Sequence, residues 1–399
     1  MNRRSFHWLW IGQSSANLGD AFYTLAVVSH LYSLTHSATF AAMVPLLRVG
    51  MMLAGGLAAP LVMARFSLKG ILIASQWGQT GLLLALYTAI SVSVSHVTEI
   101  MAIFAVILMM AFLDGWTVPT RNALVPRLIP EDQWVKANGW LLTSDQIVQL
   151  IGWIAGGMLS AKWGVRELIG LTFGMFLFSS VSLKWVKEAG QPREKDQKHL
   201  PNRGQWQIGW KTLWSRRILR RLVMTDILDT AAGSVWVGAL TLVFVREILH
   251  RGPDWWGWIN GSYFAGMILG GVIVVHLSRH LERNLVRAMG WGSLLAGAFV
   301  FIYAWNEHPG VALALCLLMG PPYQLRETAQ RTLLQKSVDD TLLPHVLAAH
   351  GSLTYATFGL SVLSMSLAAD LWGIQTPYII SGVLLLGAAF IALTAAISD

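Results

Sequence analysis

Charge is what this chain is short of. Asp, Glu, Lys and Arg make up 13% of its 399 residues, against 54% hydrophobic. A soluble domain carries about a quarter charged residues, so the polar surface a water-soluble fold of this length needs is missing. Cysteine is nearly absent: Cys316 is the one thiol, which excludes an internal disulfide and leaves the redox compartment open. No Gly-x-x-x-x-Gly-Lys phosphate cradle, metal-ligand spacing or nucleophile motif occurs. Nothing therefore supports an enzyme, an ATP-driven pump, a cofactor or a bound metal. Short alternating strands are also lacking, which excludes a membrane β-barrel.

What the chain has instead is a series of apolar runs, each long enough to cross a hydrocarbon core as a helix. Twelve spans are expected: 6–33, 39–64, 69–93, 98–120, 136–161, 167–187, 217–247, 256–278, 285–305, 310–333, 346–370 and 375–396. The first follows Met1–Arg4 as a signal peptide would. It runs on to Leu34 through Gln13, Asn17 and Asp20, however, which suits a retained helix. The long hydrophilic segment Glu188–Arg217, with Pro192, Pro201 and a mixed-charge run, reads as a flexible linker. Its end differs, because Trp206, Trp210 and Trp214 recur every four residues beside Lys211, Arg216 and Arg217. That spacing predicts a short helix lying in the membrane interface.

Basic residues orient the spans. With the N-terminus cytoplasmic, most of the 29 Lys and Arg fall inside; Lys162, Arg166, Arg246 and Arg251 fall outside, and Arg48 lies within a span. The net charge of +8 is thus dispersed over inner loops, where it complements anionic lipid and gives no reason to expect nucleic acid. Several tryptophans (Trp8, Trp10, Trp255, Trp256 and Trp258) sit at span ends, as interfacial-belt residues do.

Two weak internal matches share one offset. Ala123-Leu-Val-Pro-Arg-Leu-Ile-Pro-Glu131 aligns with Thr332-Leu-Leu-Gln-Lys-Ser-Val-Asp-Asp340, and Leu18-Gly-Asp20-Ala21 with Ile227-Leu-Asp229-Thr230, both 209 residues on. The expected organisation is a six-helix bundle over 1–187, a linker over 188–217 and a second six-helix bundle over 218–399. Charges in hydrocarbon are costly, so the spans that carry them should face an interior cavity. These are the first (Asp20), second (Arg48), fourth (Asp114), fifth (Asp145), seventh (Asp226, Asp229) and tenth (Arg326, Glu327). The third, sixth, ninth and twelfth have no mid-span charge and should be peripheral.

The stretch Gly115–Asn138, with Pro119-x-Arg121, Ala123-Leu-Val-Pro126-x-Leu128-Ile-Pro130-Glu131 and Ala137-Asn138, resembles the link between the fourth and fifth transmembrane helices of major facilitator superfamily exporters. Within that superfamily it is most similar to the macrolide-efflux-like drug:proton antiporters. Prolines 119, 126 and 130 are expected to stop the fourth helix, and Glu131 and Asp132 to favour the start of the fifth. Two other motifs of the family are eroded. Between spans two and three, Arg65 and Lys69 remain, but Ala64 stands where the family has an acid; the second-half counterpart at Arg279–Arg283 has lost it too. In the fifth span, Gly152-Trp153-Ile-Ala-Gly156-Gly157 has Trp in place of the antiporter proline, and its glycines still permit close helix packing, against the opposite half in the family.

The resemblance implies a monomer in the cell (inner or plasma) membrane, multi-pass with both termini cytoplasmic. It would be in contact with lipid and would move a small-molecule substrate against protons. Burial disfavours a charged carboxylate, which lets an acid take up a proton at ambient pH. Asp20, about fourteen residues or roughly 21 Å into its helix, and its counterpart Asp229 are candidates to carry protons, with Glu327 and Asp145. Arg48 is either a counter-ion for one of these acids, Asp145 among them, or a receptor for an anionic substrate. Gln146, Gln149, Trp140, Trp236 and Arg326 could line the cavity; lipid or core packing is the other reading of the tryptophans. Arg65, Lys69, Asp114, Arg121 and Asp226 could form an inward gate or anchor the inner face. Gly152, Gly156 and Gly157 are helix-packing candidates. The function expected is proton-coupled efflux of hydrophobic or amphipathic molecules by alternating access. The alternatives are a dedicated exporter of one endogenous metabolite or metallophore, and a transport-inactive sensor or scaffold.

Overall fold

In hydrocarbon a backbone must satisfy its own hydrogen bonds, so long apolar runs become helices. The computed structural model describes residues 3–36, 38–63, 65–92, 95–187, 205–236, 238–252 and 254–395. Every regular element among them is helical. In order these are α1 (Arg3–Thr35), α2 (Ala38–Met63), α3 (Leu68–Ser91), α4 (His96–Leu128), α5 (Trp134–Trp163), α6 (Val165–Ser182), α7 (Gln205–Ser215), α8 (Arg217–Gly233), α9 (Gly238–Glu247), α10 (Asp254–Leu281), α11 (Leu285–Ala304), α12 (Pro309–Lys336), α13 (Leu343–Trp372) and α14 (Gln375–Ala395). Each of the twelve expected spans has its helix, α8 and α9 sharing the seventh, and α7 falls where the interfacial helix was expected. The part 188–204 of the linker expected over 188–217, and the side chain of Trp206, lie outside the described residues.

Seven of these helices are individually long and apolar enough to cross a membrane, and α8 with α9 make an eighth as a broken span. The four that fall short are α1, α3, α5 and α12, with 33, 24, 30 and 28 residues, so length is not what they lack. They hold polar side chains turned from lipid: Gln13 on α1, Gln76 and Gln79 on α3, Asn138 on α5 and Gln324 and Gln330 on α12 are all buried. Their lower hydropathy reflects a polar interior.

One expectation about α4 fails. Pro119 and Pro126 lie inside the helix, and only Pro130 comes after its end. A proline removes one backbone donor, but within a packed membrane bundle the freed carbonyl finds other partners, so the helix continues.

The chain forms two compact units. The first comprises Met1–Pro130, Ile147–Trp210 and Asp340–Tyr355. Its core joins Phe22, Tyr23 and Leu31 of α1, Leu83 of α3, Ile107 of α4 and Phe176 of α6. The second comprises Glu131–Gln146, Lys211–Asp339 and Ala356–Asp399. An aromatic nest organises its core: Trp236 stacks on Tyr263 at 6.0 Å and meets the edges of Tyr303 and Tyr378 at 5.1 and 5.5 Å. These units divide α5 after Gln146 and α13 after Tyr355, whereas the expected repeats divide the chain at the linker.

The offset of 209 recurs in the packing. In the second unit, Thr143 of α5 abuts Gly271 of α10, where an added Cβ would lie 1.8 Å from the Thr143 Oγ1. In the first unit, Ser352 of α13, which is 209 residues after Thr143, abuts Gly56 of α2, where a Cβ would lie 2.8 Å from its Oγ. A side chain at Gly271 would displace Thr143, whereas one at Gly56 would require the Ser352 hydroxyl to turn away.

Candidate functional site

Two clusters of buried charge stand out, one in each compact unit. In the first, Arg48 extends from an otherwise uncharged α2 toward α1. Its Nη2 donates to both oxygens of Asp20, at 2.9 and 2.8 Å, and to Asp114 Oδ2 of α4 at 3.4 Å. Its Nη1 donates to Thr24, one turn after Asp20 on the same face of α1, so a single guanidinium spans both side chains. Gln79 of α3 completes the group, its Nε2 donating to Asp114 Oδ1 at 2.7 Å. The Arg48 guanidinium also lies 6.0 Å from the ring centroid of buried Tyr23.

In the second unit, Arg326 of α12 forms an ion pair with Asp229 of α8 (Nη1 to Oδ2, 2.6 Å) and lies 3.9 Å from Asp226 Oδ1. The two acids are three residues apart and so share one face of α8. Gln330, one turn after Arg326, donates to Asp226 at 2.5 Å, and Ser293 of α11 donates to Asp229 at 3.4 Å.

The two clusters therefore share a plan. Asp20 and Asp229 hold corresponding positions, and each cluster sets two carboxylates against one guanidinium. With all groups ionised each would carry one excess negative charge, which a single proton cancels. The arginine comes from the second helix of one half and the fourth of the other, so the acid keeps its place while its counter-ion does not. Accessibility also differs. The Asp20 side chain is 32% exposed and that of Asp229 is 2% exposed, so the first cluster is the less enclosed of the two.

The other expected site residues are scattered. Glu327 is outside the second cluster, 3.4 Å from Arg331 one turn on. Asp145 and Gln146 are half-buried on α5 and Gln149 is exposed. Trp140 is exposed, whereas the half-buried Trp236 stacks in the aromatic nest. Arg326 is likewise engaged by Asp229 rather than open to a substrate. Asp114 and Asp226 sit in the charge clusters rather than in a separate gate. Arg65 is exposed, Lys69 donates to the Lys184 carbonyl at 3.2 Å, and Arg121 is buried; Ala64 lies outside the described residues. Of the glycines, Gly152 and Gly156 pack α5 onto Ala21, Phe22 and Leu25 of α1, within the first unit and not against the opposite half. A Cβ added at Gly157 would meet nothing among the described residues within 4 Å, whereas Gly152 and Gly156 share the four-residue spacing of one helix face.

A latch lies where α4 passes into α5 and α12 into α13. Lys336 Nζ is 3.5 Å from Glu131 Oε1, and Arg127 Nη2 donates to the Asp340 carbonyl at 3.3 Å. Arg127 and Lys336 correspond across the offset, as do Glu131 and Asp340, so the base of each motif copy meets the acidic position of the other. Asn138, wholly buried, donates to Gln335 Oε1 at 2.6 Å and Thr332 Oγ1 at 3.0 Å. Arg216 adds the Ser337 carbonyl at 2.9 Å and Asp339 at 3.3 Å.

Comparison with known proteins agrees with this architecture. The family model described as Major Facilitator Superfamily matches residues 9–362. An uncharacterized MFS-type transporter of Bacillus subtilis (strain 168), YfmI, is 34% identical over 97% of this chain and 95% of its own length. Macrolide efflux protein A of Streptococcus pyogenes is 20% identical over 97% of this chain and 94% of its own. Among solved structures, a bacterial homologue of the iron transporter ferroportin, in an outward-facing state, superposes with a TM-score of 0.82 at 15% identity, covering 98% of this chain and 99% of that one.

Proposed function

Because the chain belongs to the Major Facilitator Superfamily of membrane transporters, we propose that it is a proton-coupled exporter of hydrophobic or amphipathic small molecules. The observation that carries this reading is the pair of buried clusters, each with two carboxylates on one arginine. A group that couples proton flow to transport must change charge inside the membrane, and a permanently neutral interior could not do so. Asp20, Asp114, Asp226 and Asp229 provide that change. Arg48 and Arg326 keep each cluster soluble in a low-dielectric setting, where an unpaired charge is costly. Proton uptake at Asp20 loosens the clamp on Arg48, and proton loss restores it, so the relation of α1 to α2 and α4 differs between the two states. The resemblance to macrolide efflux protein A supports outward movement of large amphipathic compounds.

The placement proposed is the cell (inner or plasma) membrane with both termini and the linker cytoplasmic, on the basis of the asymmetric basic residues. The latch of Glu131, Asn138, Thr332, Gln335 and Lys336 then closes the cytoplasmic side in the outward-open state. It takes the part that the eroded motif between α2 and α3 plays in the family.

Reconstituted vesicles with an imposed pH gradient test this reading, with a macrolide as probe. The expected result is macrolide movement that dissipates the gradient in the native protein and is lost in Asp20→Asn. Macrolide movement of equal rate with and without the gradient would reject proton coupling. Transport of one endogenous metabolite and of no macrolide would replace the drug reading with a dedicated exporter.

A further inference from the structure

A charged groove at the start of α8 serves none of the functions described above. Arg217, Arg220, Arg221 and Met224 fall at the i, i+3, i+4, i+7 spacing that places four side chains on one helix face. Together with Trp214 of α7 and Ile391 of α14 they line a groove of about 510 Å³. A narrower crevice of about 60 Å³ adjoins it, sharing Arg217 and Arg221 and walled by Ile218, Leu222 and Met289. Among the described residues no carboxylate lines either cavity. The neighbouring Arg216 is matched by Asp339 and the Ser337 carbonyl.

We propose that this groove is a binding site for one anionic phospholipid, its phosphate held by Arg217, Arg220 and Arg221 and its glycerol and upper acyl chains lying against Met224, Ile391 and the small crevice. The distribution of chemistry along α8 is what selects a lipid. The arginines occupy the first turns of the helix, and the apolar residues come a turn deeper, along the line where a phospholipid changes from head group to chain. Trp214, 43% exposed on the short helix α7, stands at that boundary as interfacial tryptophans do. A zwitterionic lipid has no net charge to set against three arginines, so an anionic headgroup is favoured. Each arginine near an anionic leaflet contributes roughly a fivefold gain in affinity. The inference rests on the chain being a multi-pass membrane protein and is independent of proton coupling and of the substrate.

The test is titration of the purified full-length protein in detergent with phosphatidylglycerol, phosphatidylcholine and inorganic phosphate, read by thermal melting and by retained lipid in native mass spectrometry. Phosphatidylglycerol is expected to bind saturably and raise the melting temperature, while the other two leave it unchanged. R217Q/R220Q/R221Q is expected to lose roughly 100-fold in phosphatidylglycerol affinity. Should that variant not fold, R220Q alone is expected to lose about fivefold. Unchanged phosphatidylglycerol affinity in these variants would overturn the proposal. So would equal binding of phosphatidylcholine, or inorganic phosphate matching phosphatidylglycerol, which would make the groove a free-phosphate site.

Discussion

Arg326 and Asp229 are the most deeply buried ion pair among the described residues, with side chains 11% and 2% exposed. Removing one member of such a pair leaves the other charged and unmatched, at a cost of about 3–5 kcal/mol. Arg326→Met is therefore expected to lower the melting temperature of the purified protein markedly. Arg326→Met combined with Asp229→Leu is expected to recover most of the loss while abolishing any coupling role. A double variant as unstable as the single one would show that the arginine acts through contacts other than Asp229. These acids and arginines were legible as charges inside apolar runs, and the Asp20–Asp229 correspondence was legible as an offset. Their partnerships were not, because the arginine comes from α2 in one half and α12 in the other. Gln79 on α3 and Ser293 on α11 escaped notice for a different reason. Both are neutral residues on helices that lack mid-span charge, and charge was the signal used to separate interior helices from peripheral ones.

At the level of elements, the latch has unequal parts. Glu131 is 66% exposed and its pairing with Lys336 is screened, so it contributes little. Asn138 is wholly buried and bonded twice, and losing it strands a buried partner at about 1–3 kcal/mol. Asn138→Leu is expected to shift the balance of transport states by roughly five- to 150-fold, and Glu131→Lys only slightly. Because Cys316 is the one native cysteine, Cys316→Ser gives a background in which thiol labelling of single cysteines near Gln335 reads that shift. Labelling that responds equally to both changes would contradict the ranking. Gly271→Val places side-chain atoms into Thr143 and is expected to disfavour the same state. The latch was partly readable in advance, since Arg127 with Lys336 and Glu131 with Asp340 occupy matching places in the two motif copies. What the one-dimensional match could not give is that each copy reaches for the other. The prolines misled for a physical reason: their helix-breaking cost applies to an isolated helix and weakens inside a bundle, so α4 runs through two of them.

For the whole molecule, the twelve spans were legible from run length, and α1, α3, α5 and α12 fall short in apolarity because each carries buried polar side chains. The division into two compact units was not legible, since it cuts α5 and α13 within continuous helices where no change of composition marks the boundary. Thr143 and Ser352, 209 residues apart, each pack against a glycine, although those glycines, Gly271 and Gly56, are not at that offset. If the chain exchanges protons as proposed, the more exposed Asp20 is expected to respond before the enclosed Asp229. The measurement that tests this most directly is proton release from the purified protein on adding substrate in weakly buffered solution. The account predicts release in the native protein, none in Asp20→Asn and partial release in Asp229→Asn. Equal release in all three would contradict it.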